Sequence, residues 1–128
     1  MILDTSAILT VVFKEPGFEA VLEKIAAADV VGIGGPTAAE ASIVLDARLG
    51  AKGRGTLSRV LHEWAVSVVP FGEEHWKQAA DAYARFGRGN HKAALNFGDC
   101  LSYAVAKLAD QPLLCVGDDF SKTDLSLA

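Results

Sequence analysis

The sequence predicts a three-layer α/β/α fold, with a central parallel sheet of about four strands between two layers of helices. Three observations lead there. Short apolar runs at residues 1–3, 30–33, 66–70 and 113–116 alternate with longer segments of helical periodicity. The last run, Leu113-Leu114-Cys115-Val116, shows no polar alternation, as in a parallel strand covered on both faces. The chain of 128 residues, 51% hydrophobic and 22% charged, suits one globular domain burying roughly two-thirds of its unfolded surface.

The opening Met1-Ile2-Leu3-Asp4-Thr5-Ser6 is a short strand that ends in a carboxylate and two hydroxyls. Thr5 or Ser6 is expected to cap a first helix over 6–13, which Pro16-Gly17 terminates. A second helix over 18–28 places Val21, Leu22 and Ile25 on one face. The second strand, 30–33, turns through Gly34-Gly35-Pro36-Thr37 into a third helix over 38–49, with Pro36 near its start. Ile43, Val44 and Ala47 lie three, four and seven residues beyond Glu40, which predicts an inward-facing Glu40, an expensive place for an unpaired carboxylate. A fourth helix over 56–65, a third strand over 66–70 and a fifth helix over 73–86 follow. A flexible basic loop, Gly87-Arg88-Gly89-Asn90-His91-Lys92, then leads to Asp99 at or near the start of a sixth helix ending about residue 109. The fourth strand ends in Gly117-Asp118-Asp119-Phe120.

A formal charge of −4 argues against non-specific coating of nucleic acid, while leaving room for a local basic rim. Cys100 and Cys115 read as reduced core thiols, which suits the cytoplasm. No basic leader precedes the apolar stretch 7–13, and Lys14-Glu15-Pro16 ends it far short of a membrane span. With no repeat or linker, residues 1–128 read as a single soluble domain. Asp46, Asp81, Asp110 and Asp124 read as surface or turn acids, and His62 and His75 as surface residues without metal-ligand spacing. Trp64 and Trp76 read as core or interface residues. Gly32-Ile33-Gly34-Gly35 lacks the third glycine of a dinucleotide loop and follows the wrong strand.

Asp4, Glu40, Asp99 and the pair Asp118-Asp119 are set apart by position. If the first and last strands are neighbours, Asp4 and Asp118-Asp119 meet at one sheet edge, where open α/β sheets bind ligands. Carboxylates so close repel and raise one another's pKa unless a divalent cation sits among them. All-oxygen ligation points to Mg²⁺ or Mn²⁺, and such sites handle phosphate esters. A strand-end nucleophilic phosphatase would want a second Asp where Ser6 stands, and a phospho-acceptor domain an Asp where Val68-Val69-Pro70 stands. A non-catalytic binding module sits poorly with a full set of acids.

Together MILDTSA, the Glu40 helix, LNFGDCLSYA and LLCVGDDFSKTDL resemble a PIN domain, and more narrowly the VapC toxins of type II toxin–antitoxin systems, over essentially the whole chain. The resemblance implies a PIN-like fold and a Mg²⁺-dependent ribonuclease that cuts structured RNA such as tRNA, leaving a 5′-phosphate and a 3′-hydroxyl. It also implies a cognate VapB-type antitoxin over the active-site groove, and a homodimer. Asp4, Glu40 and Asp99 match the family's three invariant acids. Asp119, beside Phe120, is favoured as the fourth, with Asp118 kept as a second metal-binding candidate. By the same resemblance Asp4 and Asp99 hold the principal ion, and Glu40 and Asp119 act through water, a second ion or the nucleophile. Ser6 matches the hydroxyl that orients water or a phosphate oxygen. Arg85, Arg88, His91 and Lys92 are the candidate RNA contacts.

Overall fold

The computed structural model describes residues 1–128. Four parallel strands, β1 (Ile2–Leu3), β2 (Val31–Gly34), β3 (Val66–Val69) and β4 (Leu113–Leu114), form a sheet in the order β3-β2-β1-β4. The helices are α1 (Thr5–Val12), α2 (Phe18–Ala27), α3 (Gly35–Leu49), α4 (Thr56–Glu63), α5 (Glu73–Phe86) and α6 (Phe97–Ala109). The first and last strands are indeed neighbours, with Ile2 beside Leu113 and Leu3 beside Leu114.

Because successive strand residues point to opposite faces, β1 feeds two cores. Ile2 and Leu113 pack with Phe86, Tyr103 and Val105 on the α5–α6 side. Leu3, Leu114 and Ile33 pack with Ile8, Val21 and Leu45 on the α1–α4 side. The glycines of β2 fall on the α6 side, and a Cβ at Gly34 would lie 2.7 Å from Val105 Cγ2. The Gly-Ile-Gly-Gly run thus brings a helix close to the sheet, and α6 seats its N-terminus at the sheet's C-terminal edge.

Two expectations need correction. The buried side of α3 is Thr37, Ala41 and Leu45, spaced by four residues, whereas Ile43 is 69% exposed. Glu40 therefore does not face the core. The apolar spacing of Ile43, Val44 and Ala47 misled because α3 carries apolar residues on its solvent side as well. The last strand is also shorter than expected: pairing stops at Leu114, and Val116 is exposed.

Beyond β4 the chain returns to bond its outer edge, with Leu113 N donating to Ser126 O (2.9 Å) and Ala128 N to Leu113 O (2.9 Å). Asp124, which reads as a surface acid, anchors this tail. It accepts from Tyr103 Oη at 2.6 Å, Lys107 Nζ at 2.9 Å and Arg85 Nη2 at 3.4 Å. Burial works against its charge, but the bonds from Tyr103 and Lys107 prevail and bring its pKa down to about 2. No helix is long and apolar enough to cross a membrane.

Candidate active site

Asp4 leaves β1 and is itself the N-cap of α1, the role expected of Thr5 or Ser6. It is only 7% exposed, and both oxygens are engaged. Oδ2 accepts from Ser6 N (3.1 Å) and Ser6 Oγ (2.6 Å), and Oδ1 accepts from Ser102 Oγ (2.7 Å). Ser6 Oγ also accepts from Val116 N at 3.0 Å, tying the segment after β4 to the end of β1. Its single proton being given to Asp4, Ser6 fixes that carboxylate and the 115–119 segment; it is not a free donor toward water or phosphate.

Glu40 reaches the same edge from α3. Its Oε1 accepts from the hydroxyl of the buried Thr5, and its carboxylate lies against the backbone of Gly98. Asp99 is the third residue of α6 and shares a reciprocal cap with Asn96: Asp99 N donates to Asn96 Oδ1 (2.9 Å), and Asn96 N to Asp99 Oδ2 (3.0 Å). Burial pushes the Asp99 carboxyl above its ordinary range; the bond from the Asn96 backbone opposes this, and the charges of Asp4, Asp119 and Glu40 add to it. Asp118 is exposed on the same turn.

Asp99 thus feels the charges of three other acids drawn from separate parts of the chain, Asp4, Glu40 and Asp119. None of the ion pairs in the molecule reaches them: those pairs engage Glu73, Asp81 and Asp124. An all-oxygen acidic cluster without an internal cation fits Mg²⁺ or Mn²⁺. No three of the side chains close on a common point as they stand. Cys115, half-buried beside the cluster, has its thiol pushed up to about 11 by burial and then by Asp4 and Asp99, so it is no thiolate nucleophile.

The basic loop is less loose than its composition implies. Arg88 N donates to Leu95 O at 3.1 Å, His91 Nδ1 accepts from Ala93 N at 3.0 Å, and the His91 ring meets Phe86 edge-on. Arg85 points to Asp81 and Asp124, not to the acidic cluster. Arg88 lines a groove of about 590 Å³ with Trp76, Tyr83, Asn96 and Phe97, beside the start of α6, and Lys92 is exposed. The residues that sequence reasoning missed are the supporting ones: Thr5, Thr37, Gly98 and Ser102.

A parallel sheet bearing unpaired acids at its C-terminal edge, with helices on both sides, defines the class of α/β proteins to which PIN domains belong. The PIN domain family matches residues 1–125. Ribonuclease VapC36 of Mycobacterium tuberculosis is 46% identical over 126 residues, covering 98% of this chain and 91% of that protein. Ribonuclease VapC of Mycolicibacterium smegmatis is 37% identical over 126 residues, covering 98% of each. Among solved structures, the sarcin-ricin loop cleaving toxin VapC20 of Mycobacterium tuberculosis superposes with a TM-score of 0.80 at 18% identity, covering 99% of this chain and 97% of that one. VapBC2 of Rickettsia felis, bound to a promoter DNA fragment, gives 0.78 at 15% identity, with 99% and 96% covered. The chain belongs to the PIN-domain family and, within it, to the VapC ribonucleases.

Proposed function

We propose that this protein is a divalent-metal-dependent endoribonuclease, the toxin of a toxin–antitoxin pair, and that it hydrolyses phosphodiester bonds in structured RNA such as tRNA. One observation supports the reading: Asp99 lies within electrostatic reach of Asp4, Glu40 and Asp119, and no ion pair of the chain engages any of the four. Asp4 and Asp99 would hold the principal Mg²⁺ or Mn²⁺, with Glu40 and Asp119 completing the site. Bound there, such an ion would supply a water nucleophile at neutral pH and offset charge on the phosphoryl oxygens. The protein's part is to keep the acids in place: Ser6 and Ser102 fix Asp4, Thr5 steadies Glu40, and Asn96 orients Asp99. By resemblance to the family, water would displace the 3′-oxygen, leaving a 5′-phosphate and a 3′-hydroxyl.

Arg88, beside the start of α6, is the best placed of the candidate phosphate contacts; Lys92 is exposed on the same loop, and Arg85 and His91 take supporting parts. The antitoxin is expected to present an Arg or Lys to the acidic pocket, since the chain offers none itself. Cleavage of bacterial RNA by the antitoxin-free protein should appear with Mg²⁺ or Mn²⁺ and vanish with EDTA or in Asp4→Asn. Cleavage that persists in EDTA would refute the metal reading.

A homodimer is the second part of the proposal. Ile43, Trp76 and Phe97 are 69%, 56% and 78% exposed, and grooves of about 590 and 580 Å³ meet at Trp76, Phe97 and Leu101. Apolar surface this continuous calls for cover, and a second copy supplies it symmetrically. Phe97→Asp should shift the protein from dimer to monomer in light scattering without lowering its helix content. An unchanged mass would remove this surface from the dimer.

A further inference from the structure

Asp4 and Asp99 belong to different elements, one ending a strand and the other opening a helix, and their relative placement has to be fixed by something. Ser102 does this. It stands three residues after Asp99 on the same side of α6, is 1% exposed, and gives its hydroxyl proton to Asp4 Oδ1 at 2.7 Å. A buried serine within a helix ordinarily turns back to a carbonyl of the preceding turn, or is replaced by Ala, which helices favour. Here it reaches instead across 98 residues of chain to a carboxylate. Thr37 Oγ1, 3% exposed, lies 3.3 Å from Ser102 Oγ. With Ser102's only proton committed to Asp4, Thr37 must be the donor, so a hydroxyl relay runs from α3 through α6 to β1.

The bond also selects how Asp4 presents itself. Ser6 occupies Oδ2 with two donors, and Ser102 occupies one lone-pair direction of Oδ1. The remaining direction of Oδ1 is thereby fixed relative to the helix that carries Asp99. We propose that Ser102 is a positioning residue which locks Asp4 against Asp99, and that the affinity of the acidic pocket for a divalent cation depends on its hydroxyl. This rests on the metal-nuclease reading.

The test uses the full chain as wild type, Ser102→Ala and Ser102→Cys, the last filling the space with only a weak donor. Mn²⁺ binding is followed without RNA, by loss of the free-ion EPR signal, and KM for RNA is measured in parallel. Both variants should bind Mn²⁺ roughly 10–100-fold more weakly, the usual effect of removing a group that orients a metal ligand. KM at saturating Mn²⁺ should stay close to wild type and Tm in EDTA should fall, because Asp4 and Thr37 each lose a buried partner; a merely structural serine would lower Tm without weakening Mn²⁺ binding in the folded variant. If Ser102→Ala does not fold, Ser102→Cys decides. Wild-type Mn²⁺ affinity in a folded variant would overturn the role of Ser102 alone. A wild-type protein that neither binds Mn²⁺ nor cleaves RNA would overturn the metal-nuclease reading, and this inference with it.

Discussion

Replacing Asp99 by Asn should abolish RNA cleavage and at the same time leave the metal-free protein at least as stable as wild type. The two effects share one cause. Asp99 is half-buried, and burial together with Asp4, Asp119 and Glu40 disfavours its charge. At neutral pH the metal-free fold therefore carries a repulsion that Asn removes. Asn also keeps the carbonyl oxygen that accepts from Asn96 N, so the start of α6 stays capped. Activity should fall by more than roughly 100-fold, since groups that merely support a metal ligand already cost about 10–100-fold. Thermal melts separate the contributions. In EDTA the variant should melt at or above the wild-type temperature. With excess Mn²⁺ the order should reverse, because only a protein that binds the ion gains stability from it. A variant that melts well below wild type in EDTA would show that Asp99 is a structural cap first, and wild-type cleavage would remove it from the site.

The parts of this molecule that were legible in the sequence are those written in local pattern. Apolar runs marked the strands, and the fifth helix, Glu73–Phe86, has the bounds expected of it. Asp4 and the Asp118-Asp119 pair could be related because a parallel neighbourhood of first and last strands puts their ends together, as β1 and β4 do, while the preference for Asp119 rests on the family resemblance. Glu40 stands out in the sequence for a mistaken reason. Its spacing from Ile43 and Val44 suggested an inward face, but the buried face of α3 is the Thr37–Ala41–Leu45 side. An exposed apolar stripe reads in sequence like a core stripe, because periodicity reports that a face is apolar and not what covers it. Ser102, Thr5 and Asp124 were illegible for a related reason. Each is an ordinary polar residue whose meaning lies in a partner 98, 35 or 21 positions distant. Sequence spacing within one helix or strand carries no record of such pairs.

Gly98 offers the other large effect, and it acts through space. A Cβ at this position would stand 2.5 Å from Glu40 Oε2 and 3.3 Å from its Cδ, so Gly98→Ala cannot coexist with Glu40 where it now lies. What yields is the far end of a side chain on the solvent side of α3, not backbone, so the fold should survive. Alanine also suits a helical residue better than glycine. Against that gain, Thr5 loses its acceptor in a nearly buried position, a cost of about 1–3 kcal/mol if nothing replaces it. The net change should be small, with Tm shifted by no more than about 5 °C, the effect of roughly 1 kcal/mol in a domain of this size. Cleavage should nonetheless drop roughly 10–100-fold, because the acid that α3 delivers has been pushed off its position. Glu40→Gln provides the control. If the alanine methyl acts only by displacing Glu40, the double variant should be no worse than Glu40→Gln alone, a strong departure from additivity that a thermodynamic cycle on kcat/KM reads directly. Losses that multiply would mean that Gly98 serves the site by another route, such as leaving room for the RNA backbone beside the start of α6.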